Sequence, residues 1–202
     1  MHIDHDCKGC ISECICRSHL TASRTSQPGV TLIELMITLF IMAVLLTFAL
    51  PAFTELLAES RLKAATSALY LKLYQARSEA IKRNQRMRVT FMVSDGGATW
   101  CYGMKTDAAC DCTVAGSCQI DGAEKTVNST EFPGVGIDLH ISAPGDHFTF
   151  ENIRWITAGT FGHVRFNMAD GGQTRIIVSR MGRVRLCSPA GSGNIAGYSS
   201  IC

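Results

Sequence analysis

The 202-residue sequence is short of net charge: 19 Lys and Arg against 17 Asp and Glu leave only +2, which by itself implies no polyanionic partner. It lacks the linear signatures of common catalytic sites, with no His-Glu-x-x-His, no Gly-x-x-x-x-Gly-Lys phosphate loop and no Gly-x-Ser-x-Gly elbow. The chain is therefore read as a non-enzyme that needs no cofactor. No internal repeat and no Pro- or Ser-rich linker divides it, so one core-bearing domain is expected. Charge is missing altogether between Glu34 and Glu55. Residues 35–53 form an apolar run, and at about 1.5 Å of rise per residue a helix there nearly spans a hydrocarbon core of about 30 Å.

What stands at the head of that run is one carboxylate, Glu34, inside Gly29-Val30-Thr31-Leu32-Ile33-Glu34-Leu35-Met36. An acid in a membrane segment costs about 2.5 to 3.5 kcal/mol on insertion scales, so it marks function and a partner. A secretory signal would have its small-residue cleavage site after the apolar run, whereas here the glycine precedes it. The order small residue, hydrophobe, Thr-Leu-Ile-Glu, apolar helix and Pro51 resembles the type IV pilin and pseudopilin signature. The resemblance implies that prepilin peptidase cuts after Gly29, that Val30 becomes the N-methylated terminus, and that Glu34 serves subunit assembly. Most members carry Phe where this chain has Val30.

The expected organisation follows: residues 1–29 a removed leader, 30–53 a transmembrane helix, and 54–202 a periplasmic or extracellular globular domain. The leader carries His2, His5, Cys7, Cys10, Cys14 and Cys16, residue types that can hold zinc. With no apolar periodicity to fold around, it is read instead as a disposable leader or an early start. Six further cysteines follow the anchor: Cys101, Cys110, Cys112, Cys118, Cys187 and Cys202. In the oxidising compartment that the pilin resemblance implies, they are expected to form three disulfides, Cys187 with Cys202 and two among the clustered four. Zinc binding by the cluster is the alternative.

Past Pro51, expected to kink the helix, Leu62, Ala65, Leu69, Leu73, Ala76 and Ala80 recur at intervals of three and four up to about Asn84, with Lys63, Lys72, Arg77 and Lys82 elsewhere on the surface. Strand alternation then begins with Met87, Val89, Phe91 and Val93, and Asp95-Gly96-Gly97 supplies a hairpin turn into a strand at 99–103. Residues 105–125 read as a disulfide-pinned loop, and strands are expected at 137–141, 148–153, 163–168, 173–179 and 183–187. The fold class is α+β: a type IV pilin-like long N-terminal helix, half transmembrane and half packed on an antiparallel sheet.

The near-zero net charge hides a split. Residues 86–151 hold four bases against nine acids, whereas residues 152–202 hold six bases against one acid, and all six are arginine: Arg154, Arg165, Arg175, Arg180, Arg183 and Arg185. The guanidinium fork matches phosphate bidentately, so an all-arginine basic quarter suggests phosphate contact. Gly182 sits between two strand-like runs where a tight turn needs positive φ. In the following strand Arg183, Arg185 and Cys187 point to one face and Val184 and Leu186 to the other, which puts the two arginines about 6.8 Å apart with Arg180 beside them on the turn. The plain alternative is a solvated strand edge whose charges prevent aggregation. His140, His147 and His163 read as scattered surface histidines, and Trp100 and Trp155 as core residues, although Trp155 beside Arg154 could stack on single strands.

Gln75-Ala76-Arg77-Ser78-Glu79-Ala80-Ile81-Lys82-Arg83-Asn84 resembles the helix end of the FimT/GspH group of minor pilins and pseudopilins, and Trp100-Cys101-Tyr102-Gly103 and Cys110-Asp111-Cys112 are similar to FimT segments. Gly182-Arg183-Val184-Arg185 resembles the G-R-x-R motif of DNA-binding FimT-type minor pilins. The resemblance covers the chain from Gly29 onward. It implies a single-pass inner-membrane protein assembled into a type IV pilus, with other pilins, prepilin peptidase and DNA as partners. DNA would be bound non-specifically by Arg180, Gly182, Arg183 and Arg185 for uptake in natural transformation. The alternative is a GspH-like pseudopilin of type II secretion, or a subunit that primes pilus assembly, with no DNA contact.

Overall fold

The computed structural model describes residues 29–142, 145–152, 157–169, 171–189 and Tyr198, without the side chains of residues 49–52. The cysteine- and histidine-rich leader and Arg154, Trp155 and Cys202 lie outside the described residues, and Pro51, where a kink is expected, falls in the stretch whose side chains are not described.

Helix α1 runs Leu32–Arg83. Thr31 caps it: the Glu34 amide donates to Thr31 Oγ1 at 3.3 Å, which satisfies one otherwise orphaned donor of the first turn, and the Leu35 amide makes the first intrahelical bond, to the Thr31 carbonyl at 3.1 Å. Every side chain from residue 30 to residue 48 is exposed. No single described helix is long and apolar enough to cross a membrane; by length and composition alone, Leu32–Phe48 and Phe53–Arg83 taken together pass that test.

The later part of α1 behaves differently, because its apolar residues are spaced to make one stripe. Leu62, Ala65, Leu69, Leu73, Ala76 and Ala80 are all fully buried. Against them pack two four-stranded antiparallel sheets. The first has the order β5-β2-β1-β7, from β1 (Met87–Ser94), β2 (Thr99–Thr106), β5 (Thr126–Asn128) and β7 (His147–Phe150). The second has the order β10-β9-β8-β6, from β6 (Val135–Ile141), β8 (Gly162–Met168), β9 (Gln173–Val178) and β10 (Val184–Cys187). A small hairpin of β3 (Gln119–Ile120) and β4 (Ala123–Glu124) completes the domain. The α+β architecture is the expected one.

The core joins both sheets to the helix. Trp100 is buried, stacks on Tyr102 and Phe132, and donates Nε1–H to the Val135 carbonyl at 2.8 Å, which meets the requirement that a buried indole find an acceptor. The hydroxyls of Thr66 on α1 and Thr174 on β9 lie 2.6 Å apart and pin the helix to the second sheet.

Several boundaries differ from the sequence expectation, among them the end of β2, which reaches Thr106, and the start of β6 at Val135. Residues 105–125 are not all loop, since β3 and β4 form within them, and β5 follows where no strand was expected; strands of two or three residues are too short to show alternation. Arg183 precedes β10, which begins at Val184. β7 ends at Phe150, and the rest of its expected span includes Ile153, outside the described residues.

Candidate functional site

The basic turn joins β9 to β10. The Gly182 amide donates to the Ser179 carbonyl at 2.8 Å and the Ser179 amide to the Arg183 carbonyl at 3.0 Å, and Gly182 has φ of +67°. These are the marks of a three-residue hairpin loop whose last residue is left-handed, a place where glycine avoids the Cβ clash. The Arg183 amide donates to Ser179 Oγ at 3.1 Å.

Two contacts hold this turn against the body. Arg77 Nη1 donates to the Gly182 carbonyl at 3.2 Å, while the amide and hydroxyl of Thr157 donate to the Arg180 carbonyl at 3.2 and 3.1 Å. Arg77 was expected merely on the helix surface; it is half-buried and reaches the turn. Its place one residue after Ala76, at the border of the apolar stripe, is the signal that could have marked it, since a long side chain there lays its stem along the core.

Arg180, Arg183 and Arg185 are all exposed, while Val184 between the last two is buried. The Arg180 guanidinium lies 4.3 Å from the centroid of the Phe161 ring, a cation–π contact that limits its rotation. Among the described residues no carboxylate pairs with any of the three. A cationic turn with a fixed backbone and unneutralised guanidinium groups can bind an anion at little cost in ordering.

The same helix end positions a second element. Arg83 donates to Glu79 and forms a two-pronged pair with Asp121 in the β3–β4 turn, and the guanidinium holds the Asp121 carboxyl below the usual carboxylate range. Next to that turn the four clustered cysteines form two disulfides, Cys101–Cys112 and Cys110–Cys118, so none offers a thiolate to zinc. Gly103 is required beside them: a Cβ there would collide with Cys118 Sγ. Cys187 is also disulfide-bonded; Cys202, its expected partner, lies outside the described residues.

At the other end of the chain, Gly29 and Val30 are exposed ahead of α1 and Glu34 lies in its first turn. The histidines are not all scattered. His140 on β6 and His163 on β8 are register partners, and their rings stack with centroids 4.6 Å apart. Burial first, then Arg175, His140 and Arg165, push the His163 imidazole below its usual value.

The family model described as type II transport protein GspH matches residues 65–194, and that of the prokaryotic N-terminal methylation motif matches residues 24–50. Among solved structures, the minor pseudopilin EpsH from the type 2 secretion system of Vibrio cholerae is similar at 14% identity and a TM-score of 0.43, covering 63% of this chain and 97% of that one. The type IV minor pilin FimU of Pseudomonas aeruginosa is similar at 20% identity and a TM-score of 0.41, covering 66% and 91%. No curated protein matches the chain.

Proposed function

Because the chain belongs to the GspH family of minor pilins and pseudopilins and carries an N-terminal methylation motif, we propose that it is a minor type IV pilin that binds extracellular DNA without sequence preference, for uptake in natural transformation. The observation that carries this is the turn itself: Arg180, Arg183 and Arg185 are exposed on a braced hairpin with no carboxylate partner among the described residues. Guanidinium groups so placed neutralise phosphates and read no base, so the expected dissociation constant is about 10⁻⁴ to 10⁻⁶ M at physiological salt.

The test is duplex binding by the full chain in neutral detergent. In the Arg183→Gln, Arg185→Gln variant the log-log salt slope should become shallower by about 1.8, since each lost phosphate contact removes about 0.9. An unchanged slope and affinity in the folded variant overturns DNA binding at this turn.

The rest of the proposal concerns the other end. Residues 30–53 anchor the chain in the inner membrane with residues 54–202 outside it; prepilin peptidase cuts after Gly29, Val30 is methylated, and Glu34 pairs with a neighbouring subunit's terminal amine, which offsets the burial of both charges. The intact mass of the assembled protein should start at methylated Val30, and an uncut leader would refute the processing step.

A second proposal, a type II secretion pseudopilin or a priming subunit, is favoured by the match to the type II transport protein GspH family. It predicts assembly without DNA affinity.

A further inference from the structure

The strand register places more arginines near the turn than the Gly-Arg-Val-Arg segment contains. Across the second sheet one row reads Cys187, Arg175, Arg165, Asp138, and the neighbouring row reads Arg185, Ile177, His163, His140. The alternate residues Val184, Val178, Ile176, Thr174, Val164 and Phe166 are buried, so both rows belong to the face turned away from the core.

This face is poorly neutralised. Arg165 and Arg175 stand directly opposite each other, an arrangement of like charges that destabilises a sheet unless something offsets it. Only Asp138 answers, among the described residues. It lies 3.6 Å from Arg165 Nη1 and also 3.6 Å from His140 Nδ1, one carboxylate shared by two groups at long range. Nε of Arg165, Nε of Arg175 and Nε2 of His163 are buried with no protein hydrogen-bond partner among the described residues.

We infer that the outer face of the second sheet, through Arg175 and Arg165, is a continuation of the phosphate-binding track that starts at Arg183 and Arg185, and that its occupant is the backbone of a DNA duplex. The inference rests on the proposed DNA binding at the turn. Arg185 and Arg175 are diagonal neighbours, about 7 to 8 Å apart at the backbone, and Arg175 and Arg165 are direct partners about 5 Å apart. From Arg185 through Arg175 to Arg165 the track is roughly 12 Å long, and Arg183 on the turn extends it. Duplex DNA presents one charge per about 1.7 Å of axis, so a track of that length meets several phosphates and forms one surface with the turn. Charge complementarity selects the occupant: two facing guanidinium groups tolerate each other best when an oxyanion lies between them, and the fork geometry suits a phosphate.

The test compares the wild type and four variants, each the full chain in neutral detergent, by anisotropy of a labelled duplex of arbitrary sequence over a salt series. Arg165→Gln, Arg175→Gln should make the salt slope shallower by about 1.8, and combining it with Arg183→Gln, Arg185→Gln should remove about 3.6 in all. Asp138→Asn should do the opposite and tighten binding about two- to fivefold at low salt, the scale of one exposed charge interaction. A gain cannot arise from misfolding, so if the Arg165, Arg175 variant loses its fold the Asp138→Asn result alone decides. Unchanged binding in both face variants, with loss in the turn variant, overturns the extended track and leaves the turn standing. Unchanged binding in the turn variant, with loss in the face variant, has the reverse meaning. A wild-type chain that binds no duplex removes both.

Discussion

The two sheets share one core and differ in what they turn outward. Both bury their inner faces against the same stripe of α1, through Phe91, Trp100 and Phe148 on one side and Val164, Phe166 and Ile176 on the other. Outside, the first sheet is tied to a disulfide-bonded loop in the acidic stretch of the chain, with Cys101–Cys112 anchored on β2. The second sheet presents arginines and a stacked histidine pair. The interior is shared hydrophobic packing, and the difference lies outside: the first sheet carries the loop closed by two disulfides, while the second adds an arginine-rich face to its one bonded cysteine, Cys187.

That contrast can be broken at its common part. Leu69→Ala removes a fully buried side chain from the stripe serving both sheets, so urea unfolding should lose about 2 to 5 kcal/mol in a single transition. Two separate transitions would mean that the sheets do not share a core. A smaller effect isolates the first sheet: Cys101→Ser, Cys112→Ser should cost about 2 to 3 kcal/mol for a loop of this length and leave duplex binding unchanged. Weakened DNA binding in that folded variant would blur the division.

The smallest effect compares one histidine from each sheet. His147 on β7 and His163 on β8 are both pushed below their usual value, first by burial and then by arginines, Arg88 for His147 and Arg175 for His163. His163 also faces His140, Arg165 and Asp138, and only Asp138 opposes the shift. In the unfolded chain each takes its proton near pH 6.5, before the folded chain does. Their contribution is therefore fully present above about pH 6.5 and is lost as pH falls through the depressed folded values. His163→Gln should flatten part of that acid-side loss in thermal unfolding. An unaltered pH profile would show that His163 is not held neutral by its surroundings.

Much of this was legible in the residues, and what was not has a common cause. The helix stripe could be read because its period is local: all six of its apolar positions are buried. The turn geometry at Gly182 was also local, set by a glycine between two strand runs. The brace from Arg77, the stacking of His140 on His163 and the facing of Arg165 with Arg175 are separated by 105, 23 and 10 positions in the chain. Strand register decides such neighbours, and no short-range pattern states the register. The six arginines were visible as a count in the last quarter of the chain; that Arg165 and Arg175 share a face with Arg185 was not.

The two disulfides of the acidic loop have a topological consequence. Cys101–Cys112 and Cys110–Cys118 overlap along the chain, because Cys110 lies inside the first closed loop and Cys118 outside it. A single proteolytic cut anywhere between residues 101 and 118 is therefore spanned by at least one of the bonds. The chain can be nicked in this stretch and still remain one covalent molecule.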